Sequence, residues 1–231
     1  MNDLPALRRL LDIMARLRDP LAGCPWDLQQ DFTTIAPYTI EEAYEVAEAA
    51  ETGDAAALKD ELGDLLLQTV FHSRIAEEAG LFDFEEVART IGDKMERRHP
   101  HIFTEAAAVV TDWEQHKEQE RHARGASSAL DGVGVALPAL TRAEKLQARA
   151  ARVGFDWPAS EPVFDKIQEE IAELRAELDS GASRDRVLDE MGDLLFAVAN
   201  LARKLDIDPE QALRAGCRKF ERRFRAVEAD L

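Results

Sequence analysis

The chain has 231 residues, of which 45% are hydrophobic and 32% are charged. Its 46 acidic and 29 basic side chains give a net charge of −17, which disfavours a nucleic-acid partner because affinity for a phosphate backbone depends on a cationic surface. The longest stretch without a charge, residues 132–141, is far shorter than the roughly 20 apolar residues of a membrane span. With no leader at its start and only two cysteines, the sequence predicts a cytoplasmic protein without membrane contact or disulfide framework.

Apolar residues recur at helical spacing from the beginning of the chain, as in Leu4, Leu7 and Leu11, and no convincing strand pattern is present. The sequence therefore predicts an all-α fold. The start and stop signals, in chain order, are Asp54 as a cap, Gly80 as a stop, Asp83 with Glu86 as a capping box, Pro100 as a break, Ser160 as a cap, Gly181 as a stop, Ser183 as a cap, and Asp208 with Pro209 and Gln211 as the start of the last helix.

The second half of the chain repeats the first. Three segments recur in the same order, at offsets of 133, 129 and 125 residues: 4–9 as 137–142, 60–66 as 189–195, and 94–98 as 219–223. A period this long is unlike a solenoid repeat and indicates a duplicated helical domain. Between the copies lies a charge-rich stretch that passes into Gly and Ser residues. We expect an N-terminal domain over 1–103, a connector over 104–136 and a C-terminal domain over 137–231.

Each copy carries two pairs of acidic residues at i and i+3, a spacing that places both carboxylates on one face of a helix. Two such helices side by side direct four carboxylates to one point, an oxygen-rich site that suits Mg²⁺. The pairs are Glu42 with Glu45 and Glu61 with Asp64 in the first copy, and Glu170 with Glu173 and Glu190 with Asp193 in the second.

Other interpretations of these acids stand beside the metal site. Glu42 follows Thr39 at capping-box spacing, so taken alone it could equally be part of a helix cap or a metal ligand. Its counterpart Glu170 lies ten residues after Ser160, inside its helix, where a capping role is excluded. Acids on helices are usually solvated, but four of the eight acids are embedded among apolar residues, where a carboxylate near a core needs a partner. These four are Glu61, Asp64, Glu190 and Asp193. Each copy also has a glycine beside the acids, Gly63 or Gly192, and because glycine destabilises a helix interior we expect a close helix approach there.

A basic cluster also recurs: Lys94, Arg97 and Arg98 in the first copy, and Lys219, Arg222 and Arg223 in the second. Near helix ends such residues can simply offset the helix dipole. Beside a four-carboxylate site they instead supply what is needed to hold a metal and a polyphosphate together. Each copy also holds a tryptophan, Trp26 or Trp157, which either stacks on a base or packs in a core.

Several runs are similar to one known family: Gly23–Asp27, Thr34–Val46, the Glu-Leu-Gly-Asp-Leu-Leu segment, Arg97–Phe103 and Val153–Trp157. Together they make nearly the whole chain resemble a full-length, two-copy MazG nucleoside triphosphate pyrophosphohydrolase. The resemblance implies an all-α homodimer related to the dimeric dUTPases, which uses Mg²⁺, with Mn²⁺ as the alternative, to split a (d)NTP between the α and β phosphates into the monophosphate and pyrophosphate. A role in cleaning the nucleotide pool or in stress goes with it.

Carried over by position, the eight paired acids resemble metal ligands, and Lys219, Arg222 and Arg223 resemble triphosphate contacts. No Ser, Cys or His lies within the acid pairs or the basic clusters, so we expect direct attack by water, with Glu41 or Glu169 beside the ligands as candidate base. A di-iron site would need two Glu-x-x-His pairs and only Glu96 to His99 has that spacing. The other alternative is a non-catalytic regulatory or interaction protein on the same duplicated fold.

The two copies differ around their acids. In the second copy Lys166 and Arg186 stand one turn before Glu170 and Glu190, where the first copy has Tyr38 and Ala57. Asn200 lies two turns beyond Asp193 and could hydrogen-bond a nucleotide, whereas Phe71 occupies the matching position. Because a triphosphate needs cations to balance its charge, these differences predict that the second copy does most of the catalysis.

Overall fold

The computed structural model describes residues 4–103 and 127–229, and the chain divides into two compact units, Met1–Thr111 and Asp112–Leu231. These described ranges hold ten helices and no strand, which confirms the all-α prediction. The first unit contains α1 Pro5–Leu17, α2 Pro25–Leu28, α3 Phe32–Thr52, α4 Ala55–Glu78, α5 Phe84–Arg98 and α6 Pro100–Phe103. The second unit contains α7 Ala139–Arg152, α8 Glu161–Asp179, α9 Arg184–Lys204 and α10 Pro209–Ala229.

Residues 104–126 of the predicted connector, 104–136, lie outside the described residues. Its remaining part, 127–136, consists of turns, in which the Asp131 carboxylate accepts hydrogen bonds from the backbone N–H groups of Ser127 and Ser128. The three domain ranges themselves stay a prediction. None of the helices within the described ranges is long and apolar enough to cross a membrane.

Most predicted helix starts coincide with side-chain caps, because Asp and Ser oxygens satisfy backbone N–H groups that a first helical turn leaves without partners. Asp54 caps α4, Asp83 and Glu86 form a capping box on α5, Ser183 caps α9 and Asp208 accepts from the backbone N–H of Gln211. Ser160 precedes α8 as predicted, but its side chain makes no capping hydrogen bond.

The third helix begins earlier than the spacing of Thr39 and Glu42 suggests. Asp31 caps α3 in a capping box with Thr34, and the interior Pro37 does not end the helix. Glu42 therefore lies well inside α3, and its interpretation as a cap is wrong. The Thr39 hydroxyl instead lies 3.0 Å from Nε2 of His72 on α4.

The first unit is built on the pair α3 and α4, against which α1 also packs. A left-handed turn at Gly53, with φ 72°, joins the pair and suits glycine because this region penalises a Cβ. Five apolar side chains fill the space between the three helices: Met14, Ile35, Val70, Phe71 and Ile75. Such filling stabilises the unit through burial of apolar surface.

In the second unit, α8 pairs with α9 and α7 packs on α9. The duplication offsets match Met14 with Gln147, Phe71 with Asn200 and Ile75 with Lys204. Three large apolar side chains of the first core are thus replaced by polar ones. The buried apolar residues of the second unit are small, namely Ala143, Val163, Ala197 and Ala199.

Two expectations about the surroundings of the acids are wrong. The flanking apolar residues do not lie in a unit core, because Leu62 and Leu195 are 50% and 51% exposed. Nor does a close helix approach explain Gly63 and Gly192. A Cβ built at either glycine meets no atom of another described helix within 4 Å.

Candidate active site

The second unit contains a cavity of about 790 Å³, open to solvent on one side, between α7, α8, α9 and the loop before α8. Its volume falls within the range of roughly 300–1,000 Å³ that small-molecule sites occupy. Among the residues predicted from sequence, the cavity is lined by Trp157, Lys166, Glu170, Asp193 and Asn200.

Three carboxylates converge on one another, and two of them, Glu170 and Asp193, line the cavity. One oxygen each of Glu170, Glu190 and Asp193 lies within 4.8 Å of the others. Glu170 is 4% exposed, and its Oε2 has no hydrogen-bond partner within the described chain. A buried carboxylate oxygen without a partner is costly, and a hard divalent cation such as Mg²⁺ satisfies it with the ligand chemistry it prefers. The residues present therefore fit a metal.

Electrostatics at the cluster point the same way. Burial raises the pKa of Glu190, and the nearby charges of Glu173, Glu170 and Asp193 raise it further. Glu173, the fourth predicted ligand, is thus close enough to act on the cluster electrostatically, although it is not among the three converging carboxylates. Negative charge gathered here favours the arrival of a cation.

Lys166 joins the cluster to its surroundings. Its Nζ lies 2.8 Å from the carboxylates of both Glu169 and Glu170. The hydrogen bond to Glu169 has the largest effect, and together with the one to Glu170 it raises the pKa of Lys166 above its usual value. The side chain is therefore a cation at neutral pH. Glu169, the candidate base, is 56% exposed and is not among the residues that line the cavity.

The first unit carries a comparable set of acids. Glu42, Glu45 and Glu61 each offer an oxygen within 4.8 Å of the other two. Burial raises the pKa of Glu42, as do the charges of Asp64 and Glu45. Desolvation likewise raises the pKa of Glu61, and Glu45 and Asp64 add to the shift. Glu41, the other candidate base, is an exposed residue of α3.

The remaining predicted cations lie elsewhere. Arg186 forms an ion pair with Glu177 and does not line the cavity. The cluster of Lys219, Arg222 and Arg223 lies within α10 rather than at its end and is exposed, so compensation of the helix dipole does not explain it. In the first unit, Arg97 and Arg98 occupy the last turn of α5, with Lys94 one turn earlier.

The tryptophans are both partly exposed. Trp26 is 49% exposed and makes an edge-to-face contact with Tyr38, with 5.9 Å between ring centroids. Trp157 is 43% exposed and lines the cavity. Neither side chain is a core residue of its unit.

Several cavity residues were missed by the sequence analysis, most clearly Asp156 and Arg203. Their side chains form an ion pair that ties the loop before α8 to the end of α9. Arg203 follows Asn200 by three residues and therefore shares its helix face, which is the signal that would have found it. Gln147 is a further lining residue, recognisable because it replaces Met14 of the first copy.

Comparison with known proteins gives the family. Residues 30–103 and 160–227, more than half of the chain, each match the MazG nucleotide pyrophosphohydrolase domain. A protein of Escherichia coli strain K12 named nucleoside triphosphate pyrophosphohydrolase is 52% identical over 226 residues, which cover 95% of this chain and 86% of that protein. A Thermotoga maritima protein named nucleoside triphosphate pyrophosphohydrolase/pyrophosphatase MazG is 44% identical over 220 residues, 95% and 84% of the two chains. The chain belongs to the MazG family.

A more distant relative, a Mycobacterium tuberculosis protein also named nucleoside triphosphate pyrophosphohydrolase, is 33% identical over 219 residues, or 87% of this chain and 64% of that protein. The two matched segments confirm that the MazG domain is duplicated in this chain. Each MazG segment contains one complete set of four paired acids and one basic cluster. The two MazG domains differ in what surrounds the acids.

Proposed function

We propose that the second unit hydrolyses a (d)NTP between its α and β phosphates, giving the monophosphate and pyrophosphate, with Mg²⁺ as cofactor. The observation that carries this proposal is the unpartnered Oε2 of Glu170 beside Glu190 and Asp193 at a cavity of about 790 Å³. The names of the relatives support the reaction class. Mn²⁺, which accepts similar oxygen ligands, is the alternative cofactor.

In this proposal Glu170, Glu190 and Asp193 hold the metal, with Glu173 as a fourth ligand. When bound there, Mg²⁺ neutralises charge on phosphate oxygens and so makes the phosphorus easier to attack. Lys166 adds a positive charge at the same end of the cavity, where it can pair with a phosphate oxygen. The nucleoside then extends along α9 toward Trp157 and Asn200. Asn200 stands seven residues, about 10 Å, beyond Asp193.

The predicted basic residues that do not line this cavity are proposed to bind the triphosphate from its surroundings. Lys219, Arg222 and Arg223 are proposed triphosphate contacts by their match to the family, and Arg186 by its position before Glu190. Lys94, Arg97 and Arg98 are the corresponding group in the first unit. Each is tested by its effect on KM, because loss of a ground-state phosphate contact raises KM more than it lowers kcat.

The attacking water must lose a proton, and we propose Glu169 as its acceptor. Lys166 holds the Glu169 carboxylate at 2.8 Å, one residue from Glu170. Glu169→Gln is expected to lower kcat by at least about 100-fold, the usual contribution of a general base. A kcat within threefold of the wild type would assign the proton to another carboxylate. Glu41 is the corresponding candidate in the first unit.

The decisive experiment is a screen of the eight standard (d)NTPs with Mg²⁺, in which pyrophosphate and orthophosphate are measured separately. We expect pyrophosphate as the first product from several of them, and none from Asp193→Ala. Orthophosphate as the first product would rule out cleavage between the α and β phosphates. No turnover despite metal binding would favour the non-catalytic alternative. Removal of triphosphates from the cytoplasmic nucleotide pool is the physiological role we propose, checked by measuring (d)NTP levels after overexpression.

We also propose that the protein is a homodimer. The same helix positions are apolar and exposed in both copies: Leu62 and Leu66 on α4 match Met191 and Leu195 on α9. A helix pair with an uncovered apolar stripe gains free energy by packing on another. Light scattering should give twice the 25.8 kDa chain mass. Leu195→Glu should shift it toward the monomer, whereas Val135→Glu, in a turn, should not.

A further inference from the structure

Three side chains form a connected network at the nucleoside end of the cavity. They are Asp156 from the loop before α8, and Asn200 and Arg203 from α9. Arg203 stands ten residues beyond Asp193, or about 15 Å along the helix, and so far from the carboxylate cluster. Asn200 is 7% exposed and lines the cavity. The network is therefore placed to act on the nucleoside rather than on the phosphates.

The network determines which way the Asn200 amide faces. Nε and Nη2 of Arg203 both donate to Oδ1 of Asn200, at 3.0 and 2.8 Å. A guanidinium has only donors, so the amide atom that faces it must be the oxygen. With Oδ1 engaged twice, the polar group that this cavity-lining residue has left for a ligand is Nδ2, whose two N–H groups donate to no atom of the described chain.

Arg203 is itself held in place. Its Nη2 donates to Oδ1 of Asp156, and Lys204 donates to the other oxygen of that carboxylate at 2.7 Å. Lys204 also donates to the backbone carbonyl of Trp157. These contacts hold Arg203 between Asp156 and Asn200. A fixed donor is what keeps the amide of Asn200 from flipping.

Among residues 4–103, which the structure describes in the first unit, no such network is present. Phe71 replaces Asn200, and the residue that matches Arg203 is Arg74, which pairs with Glu77 and Glu78. The arrangement therefore belongs to the copy with the cavity and is not a feature of the helix pair itself.

We infer that Arg203 is a positioning residue, which fixes the Asn200 amide so that its Nδ2 donates to a hydrogen-bond acceptor of the bound nucleoside. The acceptor is an oxygen or ring nitrogen of the sugar or the base, and a donor group at that point is rejected. The inference rests on the proposed function for its substrate class. It extends that function by stating which partner donates the hydrogen bond, Asn200, and which accepts it, the nucleoside.

The test measures binding without turnover. Isothermal titration calorimetry with Mg²⁺ and the α,β-imido analogues of dATP, dGTP, dCTP and dTTP gives Kd for each variant. Asn200→Asp keeps an oxygen for Arg203 but presents an acceptor in place of Nδ2. We expect an unchanged Tm and a Kd raised at least about tenfold, as expected when a buried hydrogen bond is replaced by two facing acceptors.

The Arg203 variants separate positioning from structure. Arg203→Gln should raise Kd several-fold, and Arg203→Lys, which keeps the charge and one donor for Oδ1 but not the two-nitrogen contact, should raise Kd less than Arg203→Gln does. Arg184→Gln, at the exposed start of the same helix, is the matched control and should leave Kd unchanged. An effect equal for all four analogues assigns the acceptor to the sugar, and an effect confined to some of them assigns it to the base.

Two results would overturn the inference: wild-type Kd in Asn200→Asp, or an Arg203→Gln variant with lowered Tm but wild-type Kd. If the wild type binds the analogues yet releases no pyrophosphate from the dNTPs, the proposed function fails and the amide assignment stands on the Kd values. A wild type that binds none of the four analogues contradicts both.

Discussion

Arg18 shows how a single charged residue organises the first unit. It is 7% exposed, and its guanidinium pairs with Glu78 at 2.7 Å while also donating to the backbone carbonyls of Asp27 and Gln30. The same group lies 5.3 Å above the centre of the Phe71 ring. A buried guanidinium is costly unless its donors and charge are matched, so the segment that carries α2 and the end of α4 are tied to one another through this side chain.

Removing the charge of Glu78 should therefore destabilise the first unit. Burial alone would raise the pKa of Glu78, but hydrogen bonds and charges from Arg18 and Arg74 outweigh it and lower the pKa. Glu78→Gln leaves Arg18 without its counter-charge, and since Glu78 is 30% exposed we expect a loss of roughly 1–3 kcal/mol in the free energy of unfolding. Urea denaturation at pH 7 measures it. Glu77→Gln, which affects only the Arg74 pair, should change it by less than about 0.5 kcal/mol.

The pH dependence follows from the same lowered pKa. A carboxylate with a lowered pKa in the folded state contributes stability that is present above its unfolded value of about 4.3 and is lost as pH falls through the folded value. The wild type should thus lose stability below about pH 4.5 more steeply than Glu78→Gln does. Equal pH slopes for the two proteins would show that the Arg18 pair contributes nothing to acid sensitivity.

At the scale of helices, the sequence predicts where a helix begins and which of its faces is apolar or acidic, but not which element packs against that face. Asp83 with Glu86 predicted a helix start because a cap acts on its own first turn. The i, i+3 spacing likewise predicted which acids share a helix face, since that depends only on helix geometry. The start of α3 was missed because the capping residue Asp31 lies before Pro37, and a proline usually indicates the end of a helix. Exposure of Leu62 was missed because periodicity reveals an apolar face and not what covers it.

The helix pair α8 and α9 should respond to metal. Its carboxylates repel one another across the gap between the helices, and a bound divalent cation both removes that repulsion and binds only the folded form. At a Mg²⁺ concentration 100 times its Kd the stabilisation is about 2.7 kcal/mol. We expect millimolar Mg²⁺ to raise Tm by several degrees in differential scanning calorimetry.

A double variant, Glu170→Gln with Asp193→Asn, provides the comparison for the metal effect. It should have a Tm at least equal to that of the metal-free wild type and show less than half of the Mg²⁺ shift. Asp179→Asn, at the exposed end of α8, should keep the full shift. An undiminished shift in the double variant would place the bound cation elsewhere.

Across the whole molecule, duplication has produced two helix pairs that carry the same set of acids, but the cavity lies beside those of the second pair. In the first unit Met14 and Phe71 fill the volume that Gln147 and Asn200 leave open in the second. A well-packed core of this kind has little room for a ligand, because interiors are packed at the density of organic crystals. We therefore propose that the first unit serves structure, regulation or dimer formation, with its acids free to bind metal, while the second unit carries the catalysis.

Equivalent substitutions in the two units test this division of labour. Asp193→Ala removes a carboxylate at the cavity and should lower kcat/KM by at least about 100-fold, since the proposed reaction depends on the metal it holds. Asp64→Ala, at the matching position, should leave kcat/KM within about threefold of the wild type, because Phe71 occupies the place a nucleoside would need. Tm measured for both variants separates loss of activity from loss of fold. Turnover abolished by Asp64→Ala but near wild type in Asp193→Ala would reverse the assignment and place the active site in the first unit.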